Sequence, residues 1–220
     1  MENKEIITED KIIELYMDTV LISGKPASIY AFAQKNEFEE SEFYKYFSSF
    51  ENLEKSIFGV FAKETIHLLH KTEAYQAYES KDKLLSFYFT FFELLTANRS
   101  YVLCQFQDMK SDFSKLAVLK ELRSEFLKYV SNIELEKIDF KNDKINKIQD
   151  KTITEAYWMQ LLMILKFWID DESSNFEKTD VFIEKSIKAA FEIQQITPVK
   201  SVIDLAKFLW KEKECQHKKI

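Results

Sequence analysis

The chain has 220 residues with 31 basic and 37 acidic side chains, a formal net charge of −6. Residues 1–60 carry six lysines against twelve acids, and residues 61–220 carry 25 of each, so the whole imbalance lies in the first quarter of the chain. Apolar residues at 46% with 20 Phe exclude a disordered chain, and the charge excludes a globally basic nucleic-acid binder.

Two Gly and two Pro in the whole chain are too few for sheets joined by tight turns. The scarcity favours long helices with short connections, and the caps and periodicity taken in chain order below predict an all-α protein of nine or ten helices. Cys104 and Cys215 lack metal-ligand spacing and predict reduced thiols. The start MENKEIITED is charged and predicts no signal peptide. Leu84–Leu95 and Ala156–Ile169, both broken by polar residues, are shorter than the roughly 20 apolar residues of a membrane span. A cytoplasmic protein is the expectation.

In chain order, Thr8 followed by Glu9 and Asp10 predicts a capped helix that runs until Ser23-Gly24-Lys25-Pro26 stops it. A second helix is predicted over Ala27–Lys35 and a third over Glu39–Tyr46. Ser48-Ser49-Phe50-Glu51 has the pattern of a capping box and opens a long helix to about Tyr78. Ser80 caps a helix to about Asn98; Arg99–Asp108 and Asp112–Ile133 follow. Glu134–Lys151 has few large apolar groups and predicts a mobile or weakly helical connection. Two more capping boxes, at Thr152–Glu155 and Ser174–Glu177, start helices to about Asp170 and Gln195. Thr197-Pro198 starts a last helix to about Glu214.

Three short helices and a long one suggest a helix-turn-helix on a linker helix. Within the segment Ala27–Leu53, the run Phe43-Tyr44-Lys45-Tyr46-Phe47 with Ser49, Glu51 and Leu53 resembles the "LYxYF-x-SKexL" signature of the tetracycline-repressor (TetR) family. Ser23-Gly24-Lys25, Ala33 and the helix start Asn98-Arg99-Ser100-Tyr101 are similar to the family as well. The resemblance implies a homodimer with a helix-turn-helix domain over residues 1–50 and a ligand-binding, dimerising helical domain over 51–220. It implies a transcription regulator that a small molecule releases from a DNA operator.

The departures from the signature fall where DNA would be touched. Glu37 replaces the turn Gly, Glu39-Glu40-Ser41-Glu42 replaces "SKGT", and Phe50 replaces a Lys. Ala27–Leu53 has a net charge of −3, whereas phosphate contact needs Lys, Arg and free helix N-termini. Two readings follow. One is a repressor with atypical contacts from Lys25, Ser28, Tyr44 and Lys45. The other is an accessory protein that keeps the fold, has lost DNA binding and holds lipid or another hydrophobic ligand.

Phe87-Tyr-Phe-Thr-Phe-Phe92 and Tyr157-Trp-Met, with Met163, Phe167 and Trp168, surround more than one helix face with aromatics. Each residue singly predicts packed core. Together Phe87, Phe91, Phe92, Tyr101, Trp158, Met159, Met163 and Phe167 are candidates to line a pocket for an apolar or lipid-like molecule. The last helix is amphipathic, with Trp210 and several lysines. It predicts either a helix closing the core or a peripheral membrane contact, as in a lipid-binding protein of the TetR fold. No Gly-rich phosphate loop, GxSxG or HExxH occurs, so neither an enzyme nor a cofactor is expected. His67 and His70 form an isolated i,i+3 pair without a third ligand.

Overall fold

A computed structural model describes residues 6–106, 113–133, 135 and 143–195. Nine α-helices and no strand occur among the described residues: α1 Glu9–Ser23, α2 Ile29–Lys35, α3 Glu40–Phe43, α4 Phe50–Lys71, α5 Ser80–Ala97, α6 Arg99–Phe106, α7 Lys120–Asn132, α8 Asp143–Ile169 and α9 Glu177–Gln195. Short 3-10 segments lie at Glu73–Ala77, Phe113–Leu119 and Ser174–Phe176. The all-α expectation holds. The last predicted helix, with Pro198, Trp210 and Cys215, lies outside the described residues.

The chain divides into two compact units, one of Met1–Lys71 with Thr90–Phe126 and one of Thr72–Phe89 with Leu127–Ile220. In the first, α1 packs on α6, α2 on α3, and α4 on the 3-10 segment Phe113–Leu119. The core of its first three helices is aromatic. Phe32 meets Tyr16, Phe38 and Phe50 edge-on at ring distances of 5.9, 5.5 and 5.8 Å, and Phe43 meets Phe50 at 5.6 Å. These rings are all buried, so dispersion and edge-to-face attraction hold the cluster together although α2 and α3 are short. Gly59 on α4 is a point of close approach. A Cβ there would lie 2.9 Å from Cβ of Glu121.

In the second unit α8 packs on α9. Buried Tyr88, Tyr157, Leu161, Ile164, Leu165 and Trp168 share that core with Ile183 and Ile187 of α9. Its buried polar groups find partners. The Tyr129 hydroxyl donates to the Lys83 carbonyl at 2.7 Å and lies 2.7 Å from the Tyr75 hydroxyl. With its proton on Lys83, Tyr129 accepts from Tyr75.

Several helix ends differ from the sequence expectation, each for a local reason. The Thr8 hydroxyl accepts from the Lys11 amide as expected. For α4 the capping hydroxyl is that of Ser49, which accepts from Asn52, and not Ser48. The same helix stops at Lys71 because Thr72 is extended, and Tyr75 then turns inward toward Tyr129. The helix α3 is a single turn, after which Tyr46 and Phe47 bond back to the Phe43 carbonyl and bring Phe47 into the core. No helix begins at Thr152. The helix α8 already runs from Asp143, and Thr154 donates to the carbonyls of Asp150 and Lys151 one turn back.

The start of α9 is capped from upstream. Asp171 accepts from the amide and hydroxyl of Ser173 at 2.8 and 2.6 Å and from those of Thr179 at 3.0 and 2.6 Å. Burial pushes the Asp171 carboxyl up, but these bonds outweigh it and hold the group at about 2. Between the two donors the backbone of Asn175 and Phe176 is left-handed, with φ of 52 and 59°. Asn adopts that conformation more readily than most non-Gly residues, whereas it is an outlier for a bulky Phe. The Phe176 ring packs at 6.0 Å from Trp168.

Candidate functional site

The α2–turn–α3 segment carries the predicted DNA contacts. Glu37 sits in the turn at φ 60°, the left-handed region that the signature fills with Gly. The turn therefore has the shape the family residue would allow, made by a residue that is strained in it. The aromatic cluster beneath fixes α2 and α3 from Phe32, Phe38 and Phe43.

Each predicted contact has an intramolecular partner. The Ser28 hydroxyl is the N-cap of α2 and accepts from the Ala31 amide at 3.1 Å. Lys45 bonds both oxygens of Glu42 at 2.6 and 2.7 Å. Tyr44 is 53% exposed, and its hydroxyl lies 3.5 Å from Glu40. Lys25 lies between α1 and α2 and pairs with Glu54 of α4 at 2.9 Å. The same Glu54 oxygen accepts the Tyr16 hydroxyl at 2.6 Å. Burial and the neighbouring Glu54 push the Tyr16 phenol far up, so it stays protonated and donates.

Glu54 and Tyr16 were invisible as a pair in the sequence, 38 residues apart. A Glu on the apolar side of α4, beside Leu53 and Ile57, was the available signal. Glu37 lies in the turn, Glu39 at the N-terminal end of α3, and Glu40 and Glu42 on α3 itself. Glu39 makes no side-chain cap. The face presents carboxylates where a phosphate-binding helix start would present bare amides.

The apolar candidates separate by unit. In the first unit Phe91, Phe92 and Tyr101 are buried, with the Phe91 and Phe92 rings 5.7 Å apart. The Tyr101 hydroxyl is buried without a well-formed hydrogen bond, and the Gln105 side chain is its polar neighbour. Burial pushes its phenol up, so it remains a neutral donor. In the second unit Phe87 is buried and stacked on Tyr129 at 4.6 Å, and Trp158 is buried.

Met159, Met163 and Phe167 instead form an exposed stripe at four-residue spacing on α8. Their exposures are 56, 55 and 38%. Met163 and Phe167 line an open groove of about 530 Å³ with Phe182, Lys166, Lys178 and the acids Asp170, Asp171 and Glu172. Phe167 lies 4.8 Å from Phe182. The groove's α9 side, Lys178 and Phe182, was missed because nothing in the sequence ties it to α8.

Glu9, Asp10, Lys63, Glu64 and His67 line a shallow groove of about 290 Å³. Among the described residues no group of three His, Cys, Asp or Glu could hold a metal ion. None of the described helices is long and apolar enough to cross a membrane.

No curated protein matches the chain. A family model described as tetracyclin repressor-like, C-terminal domain, matches residues 83–209, more than half of the chain. An all-helical chain whose larger part matches that domain belongs to the tetracyclin repressor-like family.

Proposed function

We propose that the protein is a homodimeric transcription regulator whose contact with a DNA operator is controlled by an apolar or lipid-like ligand. Residues 1–50 would form the reading domain and residues 51–220 the domain that binds ligand and dimerises. The observation that carries the reading is the turn at Glu37. A residue ill suited to φ 60° holds the left-handed corner that a helix-turn-helix needs, ahead of a domain of the repressor family. The exposed stripe of Met159, Met163 and Phe167 supports a partner subunit on α8, since contiguous apolar surface favours association. Phe87, Phe91, Phe92, Tyr101 and Trp158 are the buried candidates for reading the ligand.

One observation favours a second reading, an accessory protein of this fold without DNA binding. Both candidate lysines are paired with carboxylates, and the single-turn α3 carries Glu40 and Glu42. Such a face lacks the phosphate neutralisation that supplies non-specific affinity.

Binding of the full chain to its own upstream DNA at low salt separates the two. A shift that salt weakens supports the regulator. No shift at micromolar protein discards it. Flotation with anionic liposomes, compared with a chain truncated before Pro198, then tests the membrane contact of the accessory reading; equal flotation removes that contact.

A further inference from the structure

Lys25 and Lys45 are both ion-paired, but the pairs differ in kind. Lys45 and Glu42 are three residues apart on the surface. Such a pair opens at little cost, because water replaces each partner. Lys25 is half-exposed, whereas Glu54 is buried and reaches it from α4. A largely buried carboxylate has little water to turn to, and removing its cation leaves a poorly compensated charge. If Lys25 moved to a phosphate, Glu54 would keep the neutral Tyr16 hydroxyl as its partner among the described residues. The lysine is therefore withheld from an external anion although its side chain is half-exposed.

We propose that Glu54 is an autoinhibitory counter-ion, which masks Lys25 and lowers the affinity of the α2–α3 face for nucleic-acid phosphate. The inference rests on the reading of residues 1–50 as a DNA-facing domain. It adds that the weak electrostatics of this face are set partly from inside, by one buried side chain, and not only by the surface glutamates.

The test uses the full chain and a fluorescently labelled DNA duplex of arbitrary sequence, with anisotropy read over a salt series. Glu54→Gln keeps an acceptor for Tyr16 and removes the charge. Binding should tighten, and the slope of log affinity against log salt should steepen by about 0.9 per subunit, the signature of one more neutralised phosphate. Adding Lys25→Met to that variant should abolish both changes. Glu54→Met serves as a second unmasking variant if the Gln protein melts without a cooperative transition. Unchanged affinity and slope in a folded Glu54 variant overturn the proposal, as does a gain that survives Lys25→Met. Failure of the wild-type chain to bind its own upstream DNA would remove the regulator reading only. The unmasking comparison is made between variants on a duplex that is not an operator.

Discussion

The amide and the hydroxyl of Thr179 both donate to a single oxygen of Asp171, at 3.0 and 2.6 Å, across the left-handed corner that opens α9. Asp171→Asn removes the charge from this cap and should cost about 1–2 kcal/mol in chemical denaturation at neutral pH. The sign of the pH dependence follows from the lowered carboxyl. A group at about 2 in the folded chain and near 3.8 ordinarily stabilises the fold above 3.8. That stability is lost as pH falls toward 2. The difference between wild type and Asp171→Asn should therefore be full above pH 4 and shrink below it. A difference independent of pH would show that the charge does not matter.

Glu37→Gly should stabilise the chain by about 1 kcal/mol, because Gly enters the left-handed region without the Cβ penalty. Glu37→Val should destabilise it for the opposite reason. Urea unfolding followed by circular dichroism measures both. A loss of stability in Glu37→Gly would mean that the glutamate side chain makes up for its own strain.

The buried hydroxyl of Tyr101 makes no well-formed hydrogen bond to offset its desolvation. Tyr101→Phe should raise stability by about 1 kcal/mol in the absence of ligand. If Tyr101 reads a polar atom of the effector, the same change weakens ligand binding while it strengthens the empty fold. Melting temperatures with and without bound ligand separate the two effects.

Met163→Glu places a charge in the exposed stripe of α8. If this stripe meets a second subunit, sedimentation velocity should show a shift from dimer to monomer, with helix content unchanged. A persistent dimer would place the interface elsewhere.

The helical punctuation was legible where a side chain caps the residues directly after it. Thr8 is such a case, and the starts of α5 and α6 were read to within one residue. Capping from further upstream was not legible. Asp171 reaches Thr179 across eight residues, and the apparent box at Ser174 does not hold the helix. At Thr152 the same pattern lies inside a helix, since Thr154 can satisfy its hydroxyl on carbonyls behind it. The candidate pocket shows a second limit. Because α8 is apolar on more than one face, spacing alone did not separate buried Trp158 from exposed Met159. The acidic character of the α3 region was plain from composition. That Lys25 answers to a residue 29 positions away required the fold.

The absent side chain at position 59 acts as a spacing gauge. Helix α4 comes so near the start of α7 that even a methyl group would press on Cβ of Glu121, an atom fixed to the backbone and unable to swing aside. The long contact of 3.5 Å between Ser56 and Glu121 depends on that nearness. Any larger residue at 59 would act as a wedge, moving one helix along its whole rigid length. The same site is therefore where a chemist wishing to adjust the first unit's geometry in small, graded steps would place alanine, then serine, then valine.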